Sequence, residues 1–183
     1  MTQRDNLSQF KAKLLRPENA DKTAPWAFVV LPKNASDKLP RRGKTTVKGR
    51  INNHPFQATL EPDGQLSHWL KVQEDLLRAA DADYGDIANF EIMPVEQEPE
   101  PDIPADFKKM LDKSPAALAA WRDTTTIARL DWVHWITSAK QSKTRAQRIS
   151  STCDMLLAGK RRVCCFDPSG FYSKAFSAPK AID

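Results

Sequence analysis

Along residues 1–98, apolar and polar side chains repeatedly alternate with a period of two. Phe10, Ala12 and Leu14 are separated by Lys11 and Lys13, Val47, Gly49 and Ile51 by Lys48 and Arg50, and Ala88, Phe90 and Ile92 by Asn89 and Glu91. Successive side chains of a strand point to opposite faces, so this pattern predicts strands with one face on a core and one in water. The run Trp26-Ala-Phe-Val-Val-Leu31 is apolar throughout, as in a strand covered on both sides. A short helix fits Gln73–Ala80, and Tyr84-Gly85-Asp86 turns the chain into the last strand. About six short strands with turn signals between them predict a closed or nearly closed barrel.

One hairpin reads in more detail. Glu61-Pro62-Asp63-Gly64 offers a fixed φ, a turn-forming carboxylate and a residue free to be left-handed, the chemistry of a three-residue loop. That loop pairs Glu61 with Gln65, Leu60 with Leu66, Ala58 with His68 and Phe56 with Leu70. It puts His68 inward and Trp69 outward, where the indole is a candidate docking point for helices.

After residue 98 the period changes. Glu96–Asp102 is acidic and broken by prolines, and residues 99–104 read as a linker. Pro104 suits a first helical position, followed by the stripe Phe107, Met110, Leu111. Ser114-Pro115 is a helix start, N-cap then proline, running to about Arg122. A further helix starts near Thr124–Thr126 with Ala128, Trp132, Trp135 and Ala139 on one face. The last, Ser142 to about Leu157, carries Ala146, Ile149, Cys153 and Leu156, and Gly159 stops it. The predicted class is α+β: a small six-stranded barrel over 1–98, then a small all-α module of three or four helices over 105–162. Residues 163–183 form an aromatic tail, expected either to fold back over the helices or to stay flexible.

Charge sharpens this division. Residues 1–98 hold fourteen Lys/Arg and fourteen Asp/Glu, whereas 105–163 hold twelve basic and five acidic side chains. The surplus positive charge lies in the helical half, where an anionic partner would be met. The polar start, Met1–Ser8, and the lack of a long apolar run predict neither signal peptide nor membrane insertion. Cys153, Cys164 and Cys165 show no paired spacing, which fits a reduced, cytoplasmic protein.

The stretch most suggestive of chemistry is Ala139–Ile149. With Ser142 as cap, Lys143 and Arg145 lie in the first helical turn, where a cation opposes the dipole at a cost of about 0.3–1 kcal/mol. Lys140, Thr144 and Arg148 reach the same end. Cations held against the local field, beside free helix-start amides, suit a phosphate or carboxylate. The plainer alternative has them paired with Asp123 or Asp131, or solvated. Lys160-Arg161-Arg162 follows the same helix and sits favourably on its dipole. His54, His68 and His134 lack metal-ligand spacing, so no metal and no cofactor is expected. An inward His68 is either a hydrogen-bonded core residue or a binding residue in a hollow barrel.

Several of these residues together resemble known families. Val47, Gly49, Ile51-Asn52, His54-Pro55-Phe56, Leu60, Pro62, Gly64, Leu70, Val72, Arg78 and Gly85-Asp86 resemble a bacterial N-terminal barrel domain of unknown function. Trp135-Ile136, Ala139-Lys140, Thr144-Arg145, Arg148-Ile149, Met155-Leu156 and Gly159-Lys160 resemble the YdeI/OmpD-associated family, labelled bacteriocin-protection. Together they cover about residues 5–162 in the order usual for that family. The resemblance implies a six-stranded Greek-key barrel plus a small helical domain, and no catalytic residues. It also implies envelope stress or antimicrobial-peptide resistance in the periplasm, where the polar start predicts the cytoplasm.

The leading expectation is therefore a non-enzymatic bacterial binding or stress-protective protein, with Lys140, Lys143, Thr144, Arg145 and Arg148 receiving an anion. Candidate partners are a phosphorylated small molecule, nucleic acid or an acidic protein surface. The alternatives are an enzyme or small-ligand carrier using a barrel interior with His68 and Trp26, and an adaptor using the barrel's outer face or the tail.

Overall fold

The computed structural model describes residues 6–20, 25–164 and 176–182. The chain divides into two compact units, one of residues up to Gln97 together with the C-terminal segment, the other starting at Glu98. The class is α+β.

The first unit contains β1 (Ser8–Lys13), β2 (Arg16–Pro17), β3 (Trp26–Val30), α1 (Lys33–Ser36), β4 (Thr45–Ile51), β5 (His54–Pro62), β6 (His68–Gln73), α2 (Glu74–Ala79), β7 (Ile87–Pro94) and β8 (Ala181–Ile182). Six strands form an antiparallel sheet in the order β1-β7-β4-β5-β6-β3. The alternating positions face one core: Val47, Ile51, Ala88, Phe90 and Ile92 join Leu14, Val29, Leu60, Leu70 and Val72 inside. Phe10 stacks on its register partner Phe90 at 5.2 Å. On β3, Ala27 and Val29 enter this core, while Phe28 packs on the other face against Trp26 and Trp69. That accounts for its two-sided apolar run.

The six strands form an antiparallel half-barrel sheet, where a closed or nearly closed barrel was expected. Between its edges, Leu15, just past β1, and Phe28 of β3 form an isolated bridge, exchanging two backbone hydrogen bonds of 2.9 Å. The preceding residue addresses the other neighbour, as alternation requires: Leu14 N bonds Asp86 O and Leu14 O accepts Gly85 N–H in the loop before β7. The 63–67 hairpin also differs from expectation. Glu61 pairs with Trp69 and Pro62 with His68, a register four residues away from the predicted one. Asp63 anchors the observed turn: its Oδ1 accepts the N–H groups of Gln65 and Ser67, and its own N–H bonds Ser67 O, enclosing residues 64–66 instead of 62–64. Gly64 is left-handed as expected, but so is Leu66, which is left exposed rather than paired. Because the shift is even, His68 still points in and Trp69 out.

Two asparagines make the β4–β5 turn. Asn52 and Asn53 both have positive φ, the type I′ geometry that suits strand twist. Asn52 is also fastened to β7, where its Oδ1 and N–H bond the backbone of Asn89.

The second unit holds α3 (Ala105–Asp112), α4 (Pro115–Arg122), α5 (Thr126–Thr137) and α6 (Ser142–Leu157) around Phe107, Leu111, Ala117, Trp121, Ala128, Trp132, Ile136, Ile149 and Leu156. Ser114 caps α4 through Ala117 N–H, with Pro115 at its first position. Thr125 caps α5 through Ala128 N–H. Pro104 stands at the N-cap of α3 rather than inside it. Gly159, left-handed, ends α6: it bonds Leu156 O while Lys160 N bonds Met155 O, the double closure that glycine permits. Glu100, in the stretch read as linker, accepts Arg129 through both carboxylate oxygens. In the tail, residues 165–175 lie outside the described part. Beyond them β8 pairs with β2, Arg16 opposite Ile182 and Pro17 opposite Ala181. No helix among the described residues is long and apolar enough to cross a membrane.

Candidate functional site

The turn between α5 and α6 gathers the predicted cations. α5 ends at Thr137, and α6 starts two residues after Lys140 with Gln141 as its N-cap. Ser142, expected as the cap, is instead the first helical residue. Gln141 gives no side-chain cap to the helix, and the first turn contains no acid. The opening amides of α6 therefore keep their partial positive charge without an internal acceptor from a capping side chain. Lys140, Lys143 and Thr144 are exposed beside them. Neither lysine forms an ion pair among the described residues.

The two arginines behave differently. Arg145 grips Asp106 of α3 with a bidentate pair, Nε–Oδ2 at 2.6 Å and Nη2–Oδ1 at 2.9 Å. The hydrogen bonds from Arg145 hold the Asp106 carboxyl below its usual range, and the same contact raises the arginine. Arg148 lies over the Trp135 ring at 5.3 Å and donates to Trp135 O and to Ser138 Oγ at 3.1 Å. Those acceptors belong to the C-terminal end of α5, so Arg148 sits on the negative end of one helix while anchored in the next. Burial lowers its pKa without threatening its charge. Trp135, expected on the core stripe, is half-buried beneath this guanidinium. α5 is buried on two sides instead, through Ala128, Trp132 and Ile136 on one and Leu130 and His134 on the other. Ala146 of α6 is likewise exposed, with Thr152 taking a core place.

Of the five residues predicted to meet an anion, three thus lie open at the turn and two brace it. In the second basic run Arg161 is paired with Asp123. Sequence reasoning missed Asp106 as the clasp of Arg145; its position in the first turn of α3, favourable to the dipole, was the available signal.

His68 belongs to the first unit and is fully buried. Its Nε2 lies 3.0 Å from Gly43 O, an acceptor only, so Nε2 carries the proton and Nδ1 accepts the Ser36 hydroxyl at 2.8 Å. Burial, aided by the Arg42 charge, lowers its pKa below the usual 6.5 despite the Gly43 bond. Both ring nitrogens are therefore occupied. Trp26, paired with His68 in the hollow-barrel expectation, points to the outer face, with Lys71 Nζ 4.5 Å from its ring centroid. Trp69 packs beside it, 6.4 Å between ring centroids. The two do not line a common chamber: His68 is buried, while Trp26 lies on the outer face.

Among the described residues no cluster of His, Cys, Asp and Glu is arranged to hold a metal ion. Comparison with known proteins gives two matches. Residues 100–159 match the model of a family described as bacteriocin-protection, YdeI or OmpD-associated. Residues 10–92 match that of a domain of unknown function, DUF1905. No curated protein matches the chain.

Proposed function

We propose that this chain, a domain of unknown function joined to a YdeI- or OmpD-associated domain, is a non-enzymatic bacterial binding or stress-protective protein that receives an anionic group at the α5–α6 turn. The observation carrying this reading is that α6 opens without a side-chain cap or a first-turn acid, beside exposed Lys140, Lys143 and Thr144. An oxyanion there would accept the opening amides and the Thr144 hydroxyl while two ammonium groups neutralise it. Arg148 holds the turn in shape. Arg145 is a reserve cation: its side chain is 31% exposed, and an incoming phosphate competes with Asp106 for the same guanidinium fork. The reading includes a cytoplasmic setting, suited to free Cys153 and Cys164, and a Greek-key path for the half-barrel strands.

The test is a titration of the full chain with inorganic phosphate, a nucleoside triphosphate and a short single-stranded DNA at several salt concentrations. Binding weakens with salt, and Lys140→Ala/Lys143→Ala reduces affinity at least about tenfold, lowering the DNA salt slope by about 1–2. Asp106→Asn frees Arg145 and tightens binding. Absence of any thermal shift or titration signal with all three ligands ends the proposal, as does binding indifferent to both lysines.

A further inference from the structure

Beyond the helical unit, the half-barrel carries an unfinished seam. In an antiparallel sheet a residue directs its N–H and C=O toward one neighbour, and successive residues alternate. Val95 N bonds Thr46 O, so the even positions of β4 address β7 and its odd positions address β5. Their partners Phe56, Ala58 and Leu60 accordingly face β4, and Gln57 and Thr59 face the opposite way. On β6, Leu31 N bonds His68 O, so His68, Leu70 and Val72 address β3 and Lys71 and Gln73 address β5. Yet the β5–β6 ladder stops at Glu61–Trp69. Past that pair the two strands diverge around a groove of about 520 Å³, lined by Phe56, Gln57, Ala58, Lys71, Gln73 and Leu76, with Asp75 at its helical end. Backbone donors and acceptors on both walls point into this groove, and no strand among the described residues pairs with them there.

The side chains specify what would fit. The inner wall is apolar, with half-buried Phe56, Ala58 and Leu76 against the core. The outer face carries exposed Lys71 on β6, over the Trp26 ring, and exposed Lys48 and Arg50 on β4, with Glu91 of β7 in register with Arg50. The acid on that face of β5, Glu61, is held by Lys44 at 3.4 Å, and Asp75 caps Leu76 N–H at 2.8 Å. We propose that this seam is a strand-addition site for an extended peptide alternating apolar and acidic side chains. Its backbone bridges Gln57 and Thr59 to Lys71 and Gln73, its apolar side chains close the core, and its carboxylates meet Lys71 and the β4 cations.

The full chain is titrated with a fluorescent octapeptide alternating Val and Glu, with amide exchange followed by NMR. The peptide slows exchange at Gln57, Thr59, Lys71 and Gln73, and its Lys-for-Glu counterpart binds at least about tenfold more weakly. Methylating alternate peptide nitrogens abolishes binding without changing charge. Lys71→Glu, an exposed substitution, reverses the preference between the two peptides. Thr59→Pro removes a groove-facing N–H and weakens both; should it fail to fold, the methylated peptide tests the same bond. No binding, protection elsewhere, or equal binding of the methylated peptide overturns the proposal.

Discussion

At the residue scale, the sharpest constraints come from atoms that leave no room or no water. A Cβ on Gly49 would lie 1.8 Å from Glu91 O, so β4 and β7 approach closely only because position 49 lacks a side chain. Gly49→Ala forces backbone apart and lowers stability by about 3 kcal/mol or more, read as a drop of roughly 6–12 °C in thermal midpoint. His68 makes stability depend on pH. Its folded pKa is depressed, so the unfolded chain binds the proton first; the full contribution holds above about pH 6.5 and is lost as pH falls through the folded value. Urea midpoints measured down to pH 5 fall in the parent, and His68→Gln flattens that slope. The inward direction of His68 was legible from alternation, whereas its partners Ser36 and Gly43 were not, since sequence separation hides which loops meet a buried ring.

At the element scale, α6 trades stability for an open start. Gln141→Asp supplies both a cap and a favourable charge, so it raises stability by about 0.5–1 kcal/mol in chemical denaturation. The same carboxylate occupies the opening amides and repels anions, and DNA or phosphate affinity falls. Improved stability with unchanged affinity would separate the helix start from binding. Arg148→Met removes the donor to the α5 carboxyl end and costs about 1–2 kcal/mol, with thermal unfolding as the readout. Helix boundaries were largely readable because Ser114-Pro115, the threonines at 124–126 and Gly159 are local chemistry. The 63–67 hairpin was not, because Asp63 captures two amides that the expected 62–64 loop leaves elsewhere. Likewise, the α5 stripe was misjudged at Trp135, since a helix covered on several sides has no single apolar face to reveal.

At the scale of the whole molecule, alternation revealed six strands but not the fate of their edges. The contact between the edges rests on the Leu15–Phe28 bridge, a long-range matter that period two does not encode. The charge division was visible directly: positive surplus lies beyond residue 98 and the predicted cations cluster at one turn there. What composition could not reveal is which cations have internal partners, as Arg145 has in Asp106. The two-unit arrangement predicts separable stability. Deleting residues 176–182 lowers amide protection in β2 and β3 of the first unit while protection in α5 and α6 stays within error, by hydrogen exchange.

The β2–β8 pairing has a consequence for synthesis. Arg16 and Pro17 are made early, but the residues that pair with them emerge only after the entire helical segment has left the ribosome. The nascent half-barrel must therefore wait with one small ribbon unpaired while α3 to α6 are translated. Slowing elongation late in the message would lengthen that interval, and a protease added during translation would cut near residue 16 until the final segment arrives.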